Sequence, residues 1–237
     1  MIRLYYVITI SFFAIIYFVP KMAHYASHPD LYSEEDCYSL AQNVMSRVKK
    51  SAKITTEYYG TENLPQSGGY IMYSNHQGKY DAIGILSGHS RPCSVLMDNK
   101  RSRLFIVKQF VDLLRGQRID KESPRQQIKA LHQIANEVEK GRIYLVFPEG
   151  MYKKDQGNTL NEFKHGCFLS AQRAKCPIVP VTIIDSYKPF GINSLKPVTT
   201  KVVFLEPIEY EEYSPMKARE LSAMVQAKIE NELEKWT

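Results

Sequence analysis

No stretch of the chain is rich enough in proline, glycine or serine to act as a linker, and there is no low-complexity tract or internal repeat. Those absences argue against two independent domains and leave 237 residues for one good-sized layered domain with a short extension. Cysteine is scarce as well. Cys37, Cys93, Cys167 and Cys176 are scattered, with no C-x2-C pair and no histidine at zinc-ligand spacing. They are expected to be reduced packing residues of a cytosolic compartment rather than disulfides or ligands. Two catalytic signatures are missing: a Gly-x-Ser-x-Gly elbow for a serine nucleophile, and an H-E-x-x-H frame around His76, His132 or His165. Acidic charge is in deficit, with a formal net charge of +6. That balance favours anionic partners, but no nucleic-acid-binding motif accompanies it.

What the chain does have begins with an apolar run, Leu4 to Pro20, between Arg3 and Lys21. No small-x-small cleavage pattern follows, since Ala23 and Ala26 have Lys21 and His24 at their minus-three positions, so the run is expected to stay in the mature chain. As one helix it reaches roughly 25 Å, marginal against a hydrocarbon core of about 30 Å. Ser33-Glu34-Glu35-Asp36 then opens a helix with acids in its first turn and Arg47, Lys49, Lys50 and Lys53 at its end. Two readings of that basic end stand side by side: a dipole-matched core helix, or a second helix whose lysines touch lipid phosphates.

The stretch that concentrates chemistry is Gly68 to Asp81. Tyr70 to Tyr73 reads as a buried strand, Asn75 and His76 follow its end, and Asp81 is placed to N-cap the next helix. Folded back, the Asp81 carboxylate accepts a proton from one imidazole nitrogen of His76 and leaves the other free as a base. A bare His and Asp read first as a satisfied structural contact; spacing and context change that. Further strands are expected at Ile54–Tyr59, Cys93–Met97, Arg142–Phe147, Cys176–Ile184 and Val202–Leu205. Helices are expected after Asp81, along Lys100–Lys108, after a Ser123–Gln126 capping box, after Phe163-Lys164-His165-Gly166, and after Ser214-Pro215. The alternation argues for an α/β fold: one layered domain with a largely parallel or mixed central sheet flanked by helices.

His76-x4-Asp81 at one strand end, Phe147-Pro148-Glu149-Gly150 at another, and Pro177 to Val181 with Pro180 together resemble the glycerolipid acyltransferase family, which includes bacterial 1-acylglycerol-3-phosphate acyltransferases. The resemblance runs from about Thr55 to about Pro207. It implies membrane-associating helices over 1–53 and a catalytic domain over 54–237. It also implies an O-acyl transfer from acyl-CoA or acyl-carrier protein, as cosubstrate and with no other cofactor, to a lysophospholipid. His76 would be the general base and Asp81 its partner, with Asn75, Phe147, Pro148 and Pro180 as motif residues. Lys100 and backbone amides around Gly150 would face the developing oxyanion. Glu149 would bind the acceptor's free hydroxyls, and Lys121 with Arg118 its phosphate. Because a spanning first helix would put the domain on the wrong side for a cytosolic donor, that helix is expected to lie in one leaflet of the cell membrane, catalytic domain on the cytoplasmic face. One departure stands out. The family usually reads Glu-Gly-Thr-Arg, whereas here Tyr152 replaces the arginine and Lys153 and Lys154 supply only point charges. Acyl transfer to a different amphiphile is the alternative this raises, and a membrane-attached lipid-binding protein is the alternative outside enzymes.

Overall fold

The structure is a computed structural model describing residues 2–153 and 156–236. The apolar run at the start forms two helices rather than one: α1 (Ile2–Ile10) and α2 (Phe12–Ser27) meet at 80° around Ser11. The bend follows from how α1 is fastened. Arg3 is buried, with its guanidinium donating to the carbonyls of Pro189 at 2.9 Å and of Lys196, and Val7 packs with Tyr80 and Phe190. A helix pinned down this way cannot also run straight out. α2 continues through Pro20 and buries Met22 in the main core. Among the described residues no single helix is long and apolar enough to cross a membrane.

The next helix, α3 (Glu34–Ser51), starts with a reciprocal capping box between Ser33 and Asp36. Its Tyr38, Leu40, Ala41 and Met45 are buried. At its basic end Arg47 lies over the Phe18 ring and Lys49 donates to the Tyr58 hydroxyl, contacts that favour the packing reading for these two.

The sheet comprises β1 (Ile54–Tyr59), β2 (Ile71–Ser74), β3 (Cys93–Asp98), β4 (Gln117–Ile119), β5 (Ile143–Val146), β6 (Ile178–Ile184) and β7 (Val198–Phe204), in the order β1-β7-β6-β2-β5-β3-β4. Among the strands of the described residues β6 and β7 pair antiparallel and the other neighbours parallel, so the sheet is mixed. β2, β5 and β6 are unbroken buried runs, as expected for strands covered on both faces. Met72, Leu145 and Val179 face the core shared with α3. Ile71, Tyr73, Tyr144 and Ile178 face the other helices α6 (Pro124–Glu139) and α10 (Ala218–Glu234) through Ile134, Val138, Leu221 and Val225. The remaining helices are short: α4 (Asp81–Ser87), α5 (Val107–Leu113), α7 (Leu169–Ala174), α8 (Lys188–Gly191) and α9 (Tyr210–Tyr213).

Three local expectations differ. The segment Lys100–Lys108 is not a helix but a 3-10 turn at Arg101–Arg103, an extended Leu104, and Ile106 at φ +70° before α5. A β-branched residue in the left-handed region breaks the helical path. Ser214 closes α9 instead of capping the terminal helix; α10 starts later, where Glu220 accepts from the Lys217 amide at 2.8 Å. At α6 the forward half of the capping box is present, with Ser123 accepting from the Gln126 amide at 3.4 Å.

β2 lies between β5 and β6 and runs parallel to both. From β2 the chain crosses to β3, β4 and β5 on one side, then reaches β6 on the other. The carboxyl ends of β2, β5 and β6 therefore surround a topological switch point, the place where open α/β sheets present their sites.

Candidate active site

Asn75 ends β2 by extending it with a side chain: its amide donates to the Ile183 carbonyl at 3.0 Å and accepts from the Ile183 amide at 2.8 Å. This fixes where His76 leaves the sheet. The His76 backbone amide donates to Glu149 at 2.7 Å, and its Nδ1 lies 2.6 Å from the Asp81 carboxylate. Asp81 is fully buried, and the same Oδ2 also accepts from the amides of Gln77 at 2.6 Å and Gly78 at 2.8 Å. Oδ1 takes the Ser186 hydroxyl at 2.6 Å. These contacts correct the expected cap. Tyr80 is the N-cap of α4 and Asp81 is its first residue, turning its carboxylate back onto the preceding loop. Four donors from two segments hold that carboxylate in one orientation, and an acceptor facing Nδ1 puts the ring's proton there and the lone pair on Nε2. Phe147 stacks on the imidazole with centroids 4.3 Å apart, and Tyr152 meets it edge-on at 4.7 Å. Nε2 has no hydrogen-bond partner among the described residues, and the side chain keeps 17% exposure.

Glu149 does not present itself to an acceptor. It is 3% exposed, and its oxygens accept from the His76 amide, from the Asn161 amide and side chain at 3.0 and 2.6 Å, and from Gln156 at 3.1 Å. It braces the histidine from below. Gly150 sits at φ +72° with its amide donating to the Phe147 carbonyl at 3.0 Å, so that N–H belongs to the turn and is not free for an oxyanion. Pro148 contributes its carbonyl to the Lys164 amide at 2.9 Å, and Pro180 pairs with Tyr73 in the sheet. Lys121 does reach the turn, donating to the Gly150 carbonyl at 2.5 Å. Arg118, expected beside Lys121, is tied to Asp112 at 2.6 Å and borders a groove with Arg125 and Lys129 along α6. Lys100, expected to face the developing oxyanion, pairs with Glu122 at 2.6 Å, both side chains about three-quarters exposed. Lys154 lies outside the described residues.

Ser186, Gln77, Asn161 and Gln156 were not picked out from the sequence. Gln77 is buried, donates to Ile183 and Asn158, and accepts from the Ser186 amide at 2.8 Å. A signal for Ser186 did exist. It stands two residues past the end of β6, after Asp185 at φ +61°, and strand ends beside a switch point are where site residues collect. The thiols are poor nucleophile candidates, because burial pushes Cys37, Cys93 and Cys176 above their ordinary value, the last to about 12.

A buried carboxylate steadying a largely buried imidazole at a switch point, with no activated thiol beside it among the described residues, can help that imidazole take a proton from a bound hydroxyl or amine. A model of the acyltransferase family matches residues 55–184, from β1 to the end of β6, a span that contains His76, Asp81 and Glu149. The chain belongs to the acyltransferase family. Among relatives of this acyltransferase, the 1-acyl-sn-glycerol-3-phosphate acyltransferases of Salmonella typhimurium and Escherichia coli are each 30% identical over 169 residues, 70% of this chain and 67% of theirs. The Saccharomyces cerevisiae protein of the same name is 28% identical over 180 residues. In fold, the acyltransferase superimposes on the PlsC 1-acyl-sn-glycerophosphate acyltransferase of Thermotoga maritima with a TM-score of 0.80 at 19% identity, covering 99% of this chain and 95% of that one.

Proposed function

We propose that this acyltransferase moves a fatty acyl chain from acyl-CoA or acyl-carrier protein to the free hydroxyl of 1-acylglycerol 3-phosphate, giving phosphatidic acid. The observation that carries the chemistry is the His76–Asp81 pair, with Nδ1 engaged and Nε2 open. A thioester needs little activation, because a thiolate leaves readily; the neutral hydroxyl is the obstacle. His76 Nε2 takes the hydroxyl proton as the oxygen attacks the thioester carbonyl, help worth about 10²- to 10⁴-fold in general-base catalysis. Asp81 stabilises the imidazolium, the tetrahedral adduct collapses, and the leaving thiolate takes the proton back. The acyl chain passes directly to the acceptor, in keeping with the missing serine elbow and the raised cysteine pKa values. The relatives' names supply the choice of acceptor.

The reaction is proposed to take place at the cytoplasmic face of a membrane. In support, α1 and α2 leave Tyr5, Phe12, Phe13, Ile16 and Tyr17 exposed, and Leu104 and Phe105, which lead into α5, are exposed as well. Because α5 packs against α2, these side chains come from adjoining elements. A bent helix pair carrying aromatic residues suits insertion into one leaflet. One observation favours a second acceptor class: Tyr152 stands where the family usually has arginine.

The test is thiol release by purified protein, with both donor types and a panel of lysolipids. Lysophosphatidic acid should be acylated, and His76→Ala should lose turnover while keeping its fold and vesicle binding. Near-normal turnover in that variant removes the base from the mechanism. Success only on another acceptor overturns the substrate, and no thiol release with any acceptor favours a lipid-binding protein.

A further inference from the structure

α6 carries its charges against its own dipole. α3 opens on Glu34, Glu35 and Asp36 and ends on Lys49 and Lys50, the arrangement a helix favours. α6 opens on Pro124 and Arg125 with no acid in its first turn, has Lys129 one turn later, and keeps Glu137 and Glu139 for its end. Arg125 and Lys129 are exposed, and neither side chain has a hydrogen bond or ion pair among the described residues. No contact within the fold therefore offsets the unfavourable placement.

These two cations line a groove of about 600 Å³ at the β4 edge of the sheet. Gln117 and Arg118 line it from β4, and Ser123, Arg125, Lys129 and Gln133 from α6 and its cap; no acid and no aromatic ring borders it among the described residues. The neighbouring acids are engaged elsewhere: Asp112 with Arg118 and Lys108 at 2.6 Å each, Glu122 with Lys100 at 2.6 Å, and Glu137 with Arg142 at 2.7 Å. Arg125, Lys129 and Gln133 follow one another at four-residue spacing, a row of roughly 12 Å along the helix. The groove starts at Ser123, two positions after Lys121, which donates to the Gly150 carbonyl at 2.5 Å, so it opens at the end of the sheet that holds His76. α6 covers the face of the sheet opposite α2 and α3, so a soluble macromolecule can reach it while α1 and α2 engage lipid.

We propose that this groove docks an acidic helix of an acyl-carrier protein, so that the donor is a protein-bound thioester. This rests on the acyl-transfer reading above and chooses between its two donors. Pockets for small ligands are mostly apolar and aromatic, and the adenine of coenzyme A would find no ring to stack on here. A row of cations one turn apart matches carboxylates one turn apart on a second helix laid alongside, and such complementarity steers encounter and fixes register. Ile128, 54% exposed next to Lys129, supplies an apolar contact on the same helix. The carrier stays seated at the sheet edge while its prosthetic arm delivers the thioester to His76.

Acylation of lysophosphatidic acid should be followed with palmitoyl-acyl-carrier protein and with palmitoyl-CoA, in Arg125→Glu, Lys129→Glu and the double variant. In the double variant KM for the carrier donor should rise about tenfold or more, while kcat and KM for palmitoyl-CoA stay within about twofold. Salt should raise the wild type's KM for the carrier donor and raise the double variant's much less. Arg125→Glu puts an acid in the first turn of α6, so it should melt no lower than the wild type, which separates lost docking from lost folding. An unchanged KM for the carrier donor overturns the surface, as does a wild type that uses palmitoyl-CoA alone. An equal rise for palmitoyl-CoA assigns the groove to the nucleotide and also overturns it. Surface plasmon resonance with unacylated carrier protein on the full-length chain needs no turnover. Binding that the charge reversals weaken supports the surface even if no lysolipid is acylated, an outcome that would sink the function and leave the docking standing. Binding that is equal in wild type and variants, or absent from all, overturns it.

Discussion

β2 has an imidazole at each end, and the two show what separates a base from a brace. At its beginning, His89 is 1% exposed, with Nδ1 2.7 Å from the Arg91 carbonyl and Nε2 2.6 Å from the Tyr70 hydroxyl. Tyr38 and Gln42 also donate to its carbonyl, and Arg91 reaches the carbonyls of Pro65 and Gly68 in the loop leading to the strand. At the far end, His76 likewise has Nδ1 engaged, but by a carboxylate, while its Nε2 has no hydrogen-bond partner among the described residues and its ring is flanked by Phe147 and Tyr152. Both rings are oriented by an oxygen on Nδ1. What differs is whether the second nitrogen is used up and whether the first oxygen can stabilise a cation. Burial carries His89 down to about 4, so it stays neutral in the fold at ordinary pH.

The largest effect expected is at the partner that only one of the two histidines has. Asp81→Asn keeps the size of the side chain but turns an amide N–H₂ either toward the Ser186 hydroxyl or toward the three donors on Oδ2, and in both orientations removes the negative charge that stabilises the His76 imidazolium. Thiol release at saturating acceptor should fall about 10³- to 10⁴-fold, with a melting curve still cooperative. Glu149→Gln is the next test. Donors surround the Glu149 carboxylate, so the variant loses at least one hydrogen bond and loosens the His76 backbone; kcat should fall roughly 10- to 100-fold. A brace shows itself in kcat. A loss confined to KM for the acceptor would return Glu149 to binding the acceptor's hydroxyls.

The expected α/β sheet and the line-up of strands were legible because β2, β5 and β6 are short apolar runs bounded by turn residues. The joining of His76 to Asp81 was legible because both lie in one loop, where spacing along the chain nearly determines spacing in space. Glu149 shows the limit. Its position beside His76 followed from two strand ends, but whether its carboxylate faces a substrate or the His76 amide depends on Asn161 and Gln156, whose approach is set by a loop with no periodicity to read. Lys100 and Arg118 were hidden for a similar reason: Glu122 and Asp112 neutralise them locally, and no rule of spacing says which acid a surface cation will choose. The break at Ser11 was invisible because it is imposed by Arg3 reaching carbonyls nearly two hundred positions away. Ser186, more than a hundred residues from Asp81, becomes its partner only once β6 is laid beside β2.

That long-range contact gives the third test. Ser186→Ala removes one of the four donors to Asp81 and nothing from His76 itself. The cost of one hydrogen bond, about 1 kcal/mol, corresponds to a loss in kcat of roughly fivefold. The loss should be multiplicative with Glu149→Gln, since the two brace different atoms of the His76 loop, and strong coupling between them would show that the loop moves as a unit.

The smallest effect on catalysis is expected at His89, where the effect on stability has a definite sign. Its folded pKa of about 4 lies below the ordinary 6.5, so between those values the unfolded chain binds the proton and the folded one does not. Stability therefore falls as pH drops through this window, by about 1.5 kcal/mol from pH 6.5 to pH 5 for this group alone. His89→Phe should be less stable than the wild type at pH 7.5, by about 2 kcal/mol, because the Tyr70 hydroxyl and the tether to Arg91 lose their partner. It should also lack the wild type's extra loss toward pH 5, so the two urea-unfolding free energies converge as the solution is acidified. Equal pH slopes would mean that His89 takes up a proton without unfolding. It would then resemble His76 more closely than its buried hydrogen bonds imply.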